Sequence, residues 1–233
     1  MDWQERTERL IGQAAIQRIA QSKIIIFGVG GVGGYAAEAL ARAGIGEITL
    51  VDSDTVNVTN LNRQIVALTS NIGKNKVDVM AQRMLDINPA IRVKAIKEFY
   101  LPENSSNFDL TKYHYIVDAV DTVTAKIELI VNAQKLNVPI ISCLGAGNKL
   151  TPFFKVEDIY KTKNCPLARV MRRELRERGI KSLKTVFSEE TPRQTKSENI
   201  DQRTPASISY VPASMGLTAA YAVISDLIAE YIT

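Results

Sequence analysis

The residues most able to do chemistry are gathered in the first half of the chain. Gly28-Val-Gly30-Gly31-Val-Gly33-Gly34 follows a β-branched apolar run and precedes an alanine-rich stretch. Glycines let the backbone turn tightly and approach a phosphate. A helix starting at that turn presents free N–H groups and the positive end of its dipole. A second apolar run ends Leu50-Val51-Asp52, which sets a carboxylate where a ribose hydroxyl would lie. The pair predicts an adenosine nucleotide, against the plainer reading of a helix merely packed on a strand.

The glycine turn alone does not separate NAD from ATP, but three further groups do. Asp54, Asn60, Arg63 and Gln64 follow Asp52 closely; Gly73-Lys74-Asn75-Lys76 opens a helix; Asp118-Ala-Val-Asp121 ends another apolar run. Nucleotidyl transfer builds negative charge on the α-phosphate and on departing pyrophosphate. Arginine, lysine and a carboxylate that binds Mg²⁺ are suited to stabilise it. A dehydrogenase has no need of such a gathering. Taken singly, Arg63 and Lys76 read equally well as surface ion pairs, and Asp121 as a strand-end hydrogen-bonding group.

Composition fits an enzyme of ordinary globular type. The chain has 233 residues, 45% apolar and 23% charged, close to soluble averages. That excludes a disordered chain, a collagen and a disulfide scaffold. No apolar run reaches the ~18 residues of a membrane span, and the first nine residues lack a signal-type apolar segment. A cytoplasmic protein without a membrane partner is expected. Two cysteines cannot make a four-cysteine zinc site, so no zinc is expected. Cys143 sits in an apolar run and reads as a core residue. Cys165 precedes Pro166 beside basic residues. A nearby cation would lower its pKa, which makes a thioester or sulfur-relay role the alternative to a structural one. His114 is the only histidine and receives no role.

The net charge of +4 is unevenly placed. Residues 161–203 hold twelve Lys/Arg and six Asp/Glu; the remainder holds 17 and 19. All the basic excess therefore lies in this segment. It is either a solvated helix face, with Glu174 and Glu177 interleaved, or a phosphate-contacting surface. Arg169, Arg172, Arg173 and Arg176 fall at helical spacing along a broad stripe.

These groups need a scaffold of alternating strands and helices. Strands are expected at 23–27, 48–51, 91–96, 115–118 and 139–143, with helices at 35–43, 74–87 and 122–136. This alternation predicts an α/β fold, a doubly wound, mostly parallel Rossmann-like sheet. Beyond residue 150 the pattern predicts a strand at 153–160, a basic helix at 164–178, a strand at 183–187 and a closing apolar helix at 215–232. The polar stretch 188–207 is too long for a simple connector and reads as a mobile functional loop. No internal repeat or clean boundary appears, so 1–233 is expected to be one domain: a nucleotide-binding core at 1–150 and a substrate-binding region at 151–233.

Gly28 to Gly33, Asp52-x-Asp54, Asn60-Leu-Asn-Arg63-Gln64, Gly73-x-x-Lys76, Asp118-x-x-Asp121 and Ile87-Asn-Pro89 resemble the ubiquitin-activating-enzyme-like family of ATP-dependent adenylating enzymes. That family includes the activators of the molybdopterin and thiamine sulfur carriers. By this resemblance Gly28, Gly30, Gly31, Gly33, Asp52, Asp54, Asn60, Arg63, Gln64, Lys76 and Asp121 would bind ATP. Asp52 would hold the ribose, Arg63 and Lys76 the phosphates, and Asp121 Mg²⁺. The family works as dimers. Arg6-Thr-Glu-Arg9-Leu-Ile-Gly12 resembles its opening helix, so Arg9 would reach the partner subunit's ATP site. The catalytic set implied is Arg63, Lys76, Asp121 and Arg9.

The chain lacks the two Cys-x-x-Cys pairs of many sulfur-carrier activators and has no room for a catalytic cysteine domain. Ala39-Leu-Ala-Arg42-Ala-Gly-Ile-Gly46, Pro166-Leu-Ala-Arg169, Val186-Phe-Ser-Glu-Glu190 and Pro212-Ala-Ser-x-Gly216 resemble the branch that dehydrates threonylcarbamoyladenosine in tRNA. The resemblance implies an ATP-dependent ligase that adenylates the threonylcarbamoyl carboxylate beside the anticodon. An atom of the carbamoyl group then closes a ring and expels AMP. Arg169, Arg172, Arg173 and Arg176 would then contact tRNA. The alternatives are adenylation of the C-terminus of a ubiquitin-like sulfur carrier, with a carrier or sulfur-transfer partner, and an NAD-using or nucleotide-binding scaffold protein.

Overall fold

The computed structural model describes residues 3–193 and 205–232. Seven strands form one sheet: β1 (Lys23–Phe27), β2 (Glu47–Val51), β3 (Arg92–Ile96), β4 (Tyr115–Asp118), β5 (Ile140–Cys143), β6 (Lys155–Asp158) and β7 (Lys184–Phe187). Their order is β3-β2-β1-β4-β5-β7-β6. All pairings are parallel except β6 with β7, so the sheet is doubly wound and mostly parallel, as the strand–helix alternation predicts.

Helices cover both faces. On one lie α2 (Gln13–Ala20), α3 (Gly33–Ala43), α4 (Lys76–Ile87) and α7 (Tyr210–Ile228); on the other lie α5 (Val123–Lys135) and α6 (Pro166–Glu177). The strand residues alternate between the two cores. Ile24 and Ile26 face the first, Ile25 and Phe27 the second. A strand covered on both sides must be apolar at every position, which is why the β1 sequence shows no polar alternation.

The short helix α1 (Glu5–Ile11) precedes α2 and has no buried residue, with Leu10 82% exposed. The resemblance of residues 6–12 to an opening helix predicts α1, whereas α2, which buries only Ala15 and Ile19, carries no such signal.

The closing helix departs from expectation. It begins at Tyr210 rather than 215 and ends at Ile228 rather than 232. Pro212 lies in its first turn, where a missing N–H breaks no helical bond. At 19 residues, with mean hydropathy 1.4, it is long and apolar enough to cross a membrane by length and composition alone. Here it is a core helix, with Met215, Ala219, Ala220 and Val223 buried against α3 and the sheet. Of the stretch 188–207, expected to be a mobile loop, residues 194–204 lie outside the described residues.

The chain leaves β1 for β2 on one side of the sheet and later leaves β4 for β5 on the other. The loops after β1 and β4 therefore part at the carboxyl ends of adjacent strands. Open α/β sheets form their ligand crevice at such a switch point.

Candidate functional site

A cavity of about 430 Å³ lies at that switch point. The glycine turn after β1 makes its floor. Gly28 has φ +88°, and a Cβ there would stand 2.5 Å from the Ala119 carbonyl oxygen in the loop after β4. Glycine is thus required both for conformation and for the close approach of the two loops. Gly33, at the start of α3, is equally constrained: a Cβ would lie 1.8 Å from the Gly28 carbonyl oxygen. Gly28, Gly30 and Gly31 line the cavity, whereas Gly33 sits behind it and permits the packing.

The other expected ATP-binding residues converge on the same space. Asp52, Asp54, Asn60, Arg63, Gln64, Lys76 and Asp121 all line it. Asp52 follows β2, and its Oδ2 accepts the Val29 amide N–H at 2.7 Å while Oδ1 accepts that of Asp54 at 2.8 Å. Lys76 opens α4, is 5% exposed, and meets Asp54 Oδ2 at 2.6 Å. The Arg63 guanidinium donates to the Thr59 carbonyl at 2.9 Å and to Asn62 Oδ1 at 2.8 Å, which restricts its sweep. Asn60 Oδ1 accepts the Asn57 amide N–H, closing a capping box on the short turn before Arg63. Gln64 Oε1 is buried with no hydrogen-bond partner among the described residues. A buried unpaired acceptor is unfavourable unless a ligand donor reaches it.

Asp121 is exposed at the cavity rim, where its Oδ1 accepts the Thr122 hydroxyl at 3.3 Å. Among the described residues no group of three or more His, Cys, Asp or Glu is placed to hold a metal ion. A single carboxylate still suits Mg²⁺, which takes one or two carboxylates plus substrate phosphates.

One wall was not legible in the sequence. Glu98, Phe99, Tyr100 and Leu101, after β3, line the cavity beside Phe27. Phe27, Tyr100 and Phe108 form an edge-to-face cluster with ring centroids 4.9–5.6 Å apart. The Tyr100 hydroxyl accepts from Asn132 Nδ2 at 3.0 Å, and burial raises its pKa. The only sequence signal was an aromatic pair after a strand.

Beneath the site lies a fully buried polar group. Lys126 Nζ meets Asp118 Oδ2 at 2.9 Å, and the Ser142 hydroxyl donates to the same oxygen at 2.6 Å. Asp118, Lys126 and Ser142 are all 0% exposed. They bind the carboxyl ends of β4 and β5 to α5, directly below the loop carrying Asp121. Both cysteines are buried. Burial pushes the Cys143 thiol up to about 12, so it is inert. Cys165 caps α6, its Sγ accepting the Ala168 amide N–H at 3.5 Å.

The basic stripe on α6 is divided. Arg172 turns inward; its guanidinium donates to the Ile159 carbonyl and to the Thr162 carbonyl and hydroxyl. Arg176 lies 5.0 Å from the Tyr160 ring centroid. Arg173 pairs with Glu174 at 2.9 Å, and Arg169 is exposed. Arg9, on α1, is exposed, pairs with Glu5, and is absent from the lining of its own chain's cavity.

Comparison with known proteins agrees with this geometry. The chain is 40% identical to the tRNA threonylcarbamoyladenosine dehydratase of Bacillus subtilis, over 97% of this chain and 94% of the relative. The structure of the Escherichia coli tRNA N6-threonylcarbamoyladenosine dehydratase, TcdA, in complex with AMP superposes with a TM-score of 0.90 at 36% identity, covering 98% of this chain and 96% of that one. The Escherichia coli sulfur carrier protein ThiS adenylyltransferase is 33% identical over 58% of this chain and 54% of its own length. Residues 4–230 match the ThiF family, and a relative 40% identical along nearly the whole chain joins that match, so the chain belongs to the ThiF family.

Proposed function

We propose that the protein uses ATP to adenylate the carboxylate of threonylcarbamoyladenosine in tRNA, beside the anticodon, and that the ring then closes with net loss of water. The observation that carries this reading is the convergence of Arg63, Lys76 and Asp121 on one cavity with the glycine turn, in a chain that matches a dehydratase along nearly its whole length.

The carboxylate oxygen attacks the α-phosphorus of ATP, pyrophosphate leaves, and an acyl-adenylate forms. An atom of the adjoining carbamoyl group attacks the activated carbonyl and AMP departs. The protein's task is positional and electrostatic. The glycine turn brings backbone N–H groups to the phosphates, with the start of α3 behind them. Arg63 and Lys76 neutralise the charge that grows on the α-phosphate and the leaving pyrophosphate. Lys76 is held in place beforehand by Asp54, so little reorganisation is needed when phosphate arrives. Asp52 accepts from the ribose while fixing the turn. Asn60 and Gln64 line the pocket, with the unpaired Gln64 oxygen ready for a ligand donor. The apolar wall of Phe27, Tyr100 and Leu101 suits a purine. Asp121 would hold Mg²⁺, which supplies further charge neutralisation on the phosphates.

The whole chain acts as one adenylating unit, as a homodimer in the cytoplasm. The dimer is supported by the exposed surface at the start of the chain, where Trp3 before α1 and Leu10 on it are exposed and Arg9 does not line its own chain's cavity. The arginine-rich α6 is the surface for tRNA. The partial match to a ThiS adenylyltransferase supports a second reading, adenylation of a carrier protein's C-terminus. Incubation with threonylcarbamoylated tRNA, ATP and Mg²⁺, followed by mass spectrometry of the nucleosides, separates the two: only the first reading yields a nucleoside lighter by one water.

A further inference from the structure

A second cavity, also about 430 Å³, adjoins the nucleotide cavity, and Ala119, Val120, Asp121, Ala146 and Gly147 belong to both walls. Its own lining adds Cys143, Lys149, Cys165 and Pro166. Lys149 is the unusual member. It is 4% exposed, and its ammonium donates to the Glu190 backbone carbonyl. No carboxylate pairs with it among the described residues. The carboxylate of Glu190 faces elsewhere, accepting from the Leu150 and Thr151 amides and the Thr151 hydroxyl. Burial opposes ionisation of Glu190, but these bonds outweigh it and lower its pKa to about 2, so it is fixed as an anion turned to the backbone.

An ammonium has three donors, and one carbonyl satisfies one of them. A buried cation without a carboxylate in direct contact is unfavourable. Burial accordingly pulls the Lys149 pKa below the usual lysine value, with Cys165 and Glu190 opposing the shift. The α6 N-terminus, capped by Cys165 with Pro166 in its first turn, faces the same space and adds positive dipole. A cavity with a buried ammonium that no carboxylate contacts directly, beside a helix N-terminus, is suited to an anion. Asp121 lines both cavities at their junction, where an anion arriving without Lys149 to meet it would be repelled.

We propose that this second cavity is the acyl-substrate subsite, in which Lys149 takes the carboxylate of an N-carbamoyl amino acid and presents it at the nucleotide junction. This rests on the adenylation reading above and adds the residue that selects the carboxylate. The threonyl side chain would lie against the apolar parts of the wall, Val120 and Ala146.

The test uses an anticodon stem-loop RNA bearing threonylcarbamoyladenosine and the same RNA with the threonyl carboxylate converted to a carboxamide. Affinity of the full-length protein for each is measured with AMP bound, so that no turnover occurs. The wild type is expected to prefer the carboxylate by about 10- to 100-fold, the worth of one charge-assisted hydrogen bond. Lys149→Met should lose most of that preference and Lys149→Arg should retain it. If Lys149→Met does not fold, Lys149→Gln keeps a donor to the Glu190 carbonyl while removing the charge, and should lose the preference equally. A lysine that merely braces Glu190 would alter both affinities alike. No preference in the wild type, or an undiminished one in a folded uncharged variant, overturns the proposal. Wild type that binds the carboxylate RNA selectively but forms no cyclised nucleoside with ATP instead overturns the adenylation reading.

Discussion

The carboxylate of Asp52, just after β2, accepts the amide N–H of Val29 in the turn after β1 across 2.7 Å. Two elements of the nucleotide site are thereby fixed to each other before any nucleotide arrives. The same carboxylate also accepts the Asp54 amide, so it orients the residue that pairs with Lys76. Asp52→Ala should therefore affect the turn and Lys76 together. The expected loss in AMP affinity is about 10- to 100-fold, the range for hydrogen bonds to a charged group. Titration calorimetry with AMP measures it, and unchanged affinity in the folded variant would remove Asp52 from the site.

The Asp118–Lys126–Ser142 group predicts a stability effect larger than any surface pair. Lys126→Met would leave the Asp118 carboxylate buried without its counter-ion, at a loss of about 3–5 kcal/mol. Asp118→Asn in the same chain should recover part of that loss, because the uncompensated charge is gone. Denaturant unfolding of Lys126→Met and of the double variant distinguishes this from a simple packing defect, for which the second substitution would add to the first.

Much of the fold was legible because its signals are local. Strand β1 reads from five consecutive residues, and the glycine turn states its own backbone requirement. Arg63, Lys76 and Asp121 could be nominated because phosphate chemistry needs those charges near such a turn. What escaped was settled across the chain. Lys126 looks like an ordinary helix cation until its partner on β4 is seen. The wall from Glu98 to Leu101 has no motif, since apolar contact to a base makes no demand on spacing. Arg172 could not be told from Arg173 by helical periodicity; the carbonyls of Ile159 and Thr162 decide which one turns inward.

If Arg9 acts across a dimer, inactive Arg9→Ala and Lys76→Ala homodimers should complement each other. After subunit exchange, mixed dimers would contain one site with both residues intact. Pyrophosphate release should then recover to about a quarter of wild-type specific activity, on the statistical assumption that half the dimers are mixed and each carries one working site. No recovery after verified exchange would show that Arg9 does not act across the dimer interface.

The basic helix makes separable predictions for its arginines. Arg169 and Arg173 are exposed, whereas Arg172 is held by backbone carbonyls. Reversing Arg169 and Arg173 to Glu should weaken tRNA binding and reduce the slope of log affinity against log salt by roughly one for each phosphate no longer neutralised. AMP affinity should be unaffected. Arg172→Ala should instead lower the melting temperature, because it leaves the Ile159 and Thr162 carbonyls short of a donor. Unchanged tRNA affinity and salt slope in the folded double variant would mark α6 as a solvated face.

Activation of a tRNA-borne carboxylate is the reaction assigned to this chain. It is tested most directly by incubating the protein with threonylcarbamoylated tRNA, Mg²⁺ and ATP labelled at the α-phosphate, then following AMP and the nucleoside together. One labelled AMP should be released for each threonylcarbamoyladenosine that loses one water, and both products should be lost in Lys76→Ala and Arg63→Ala. AMP release that proceeds without change in the nucleoside, or full activity in both variants, would contradict it.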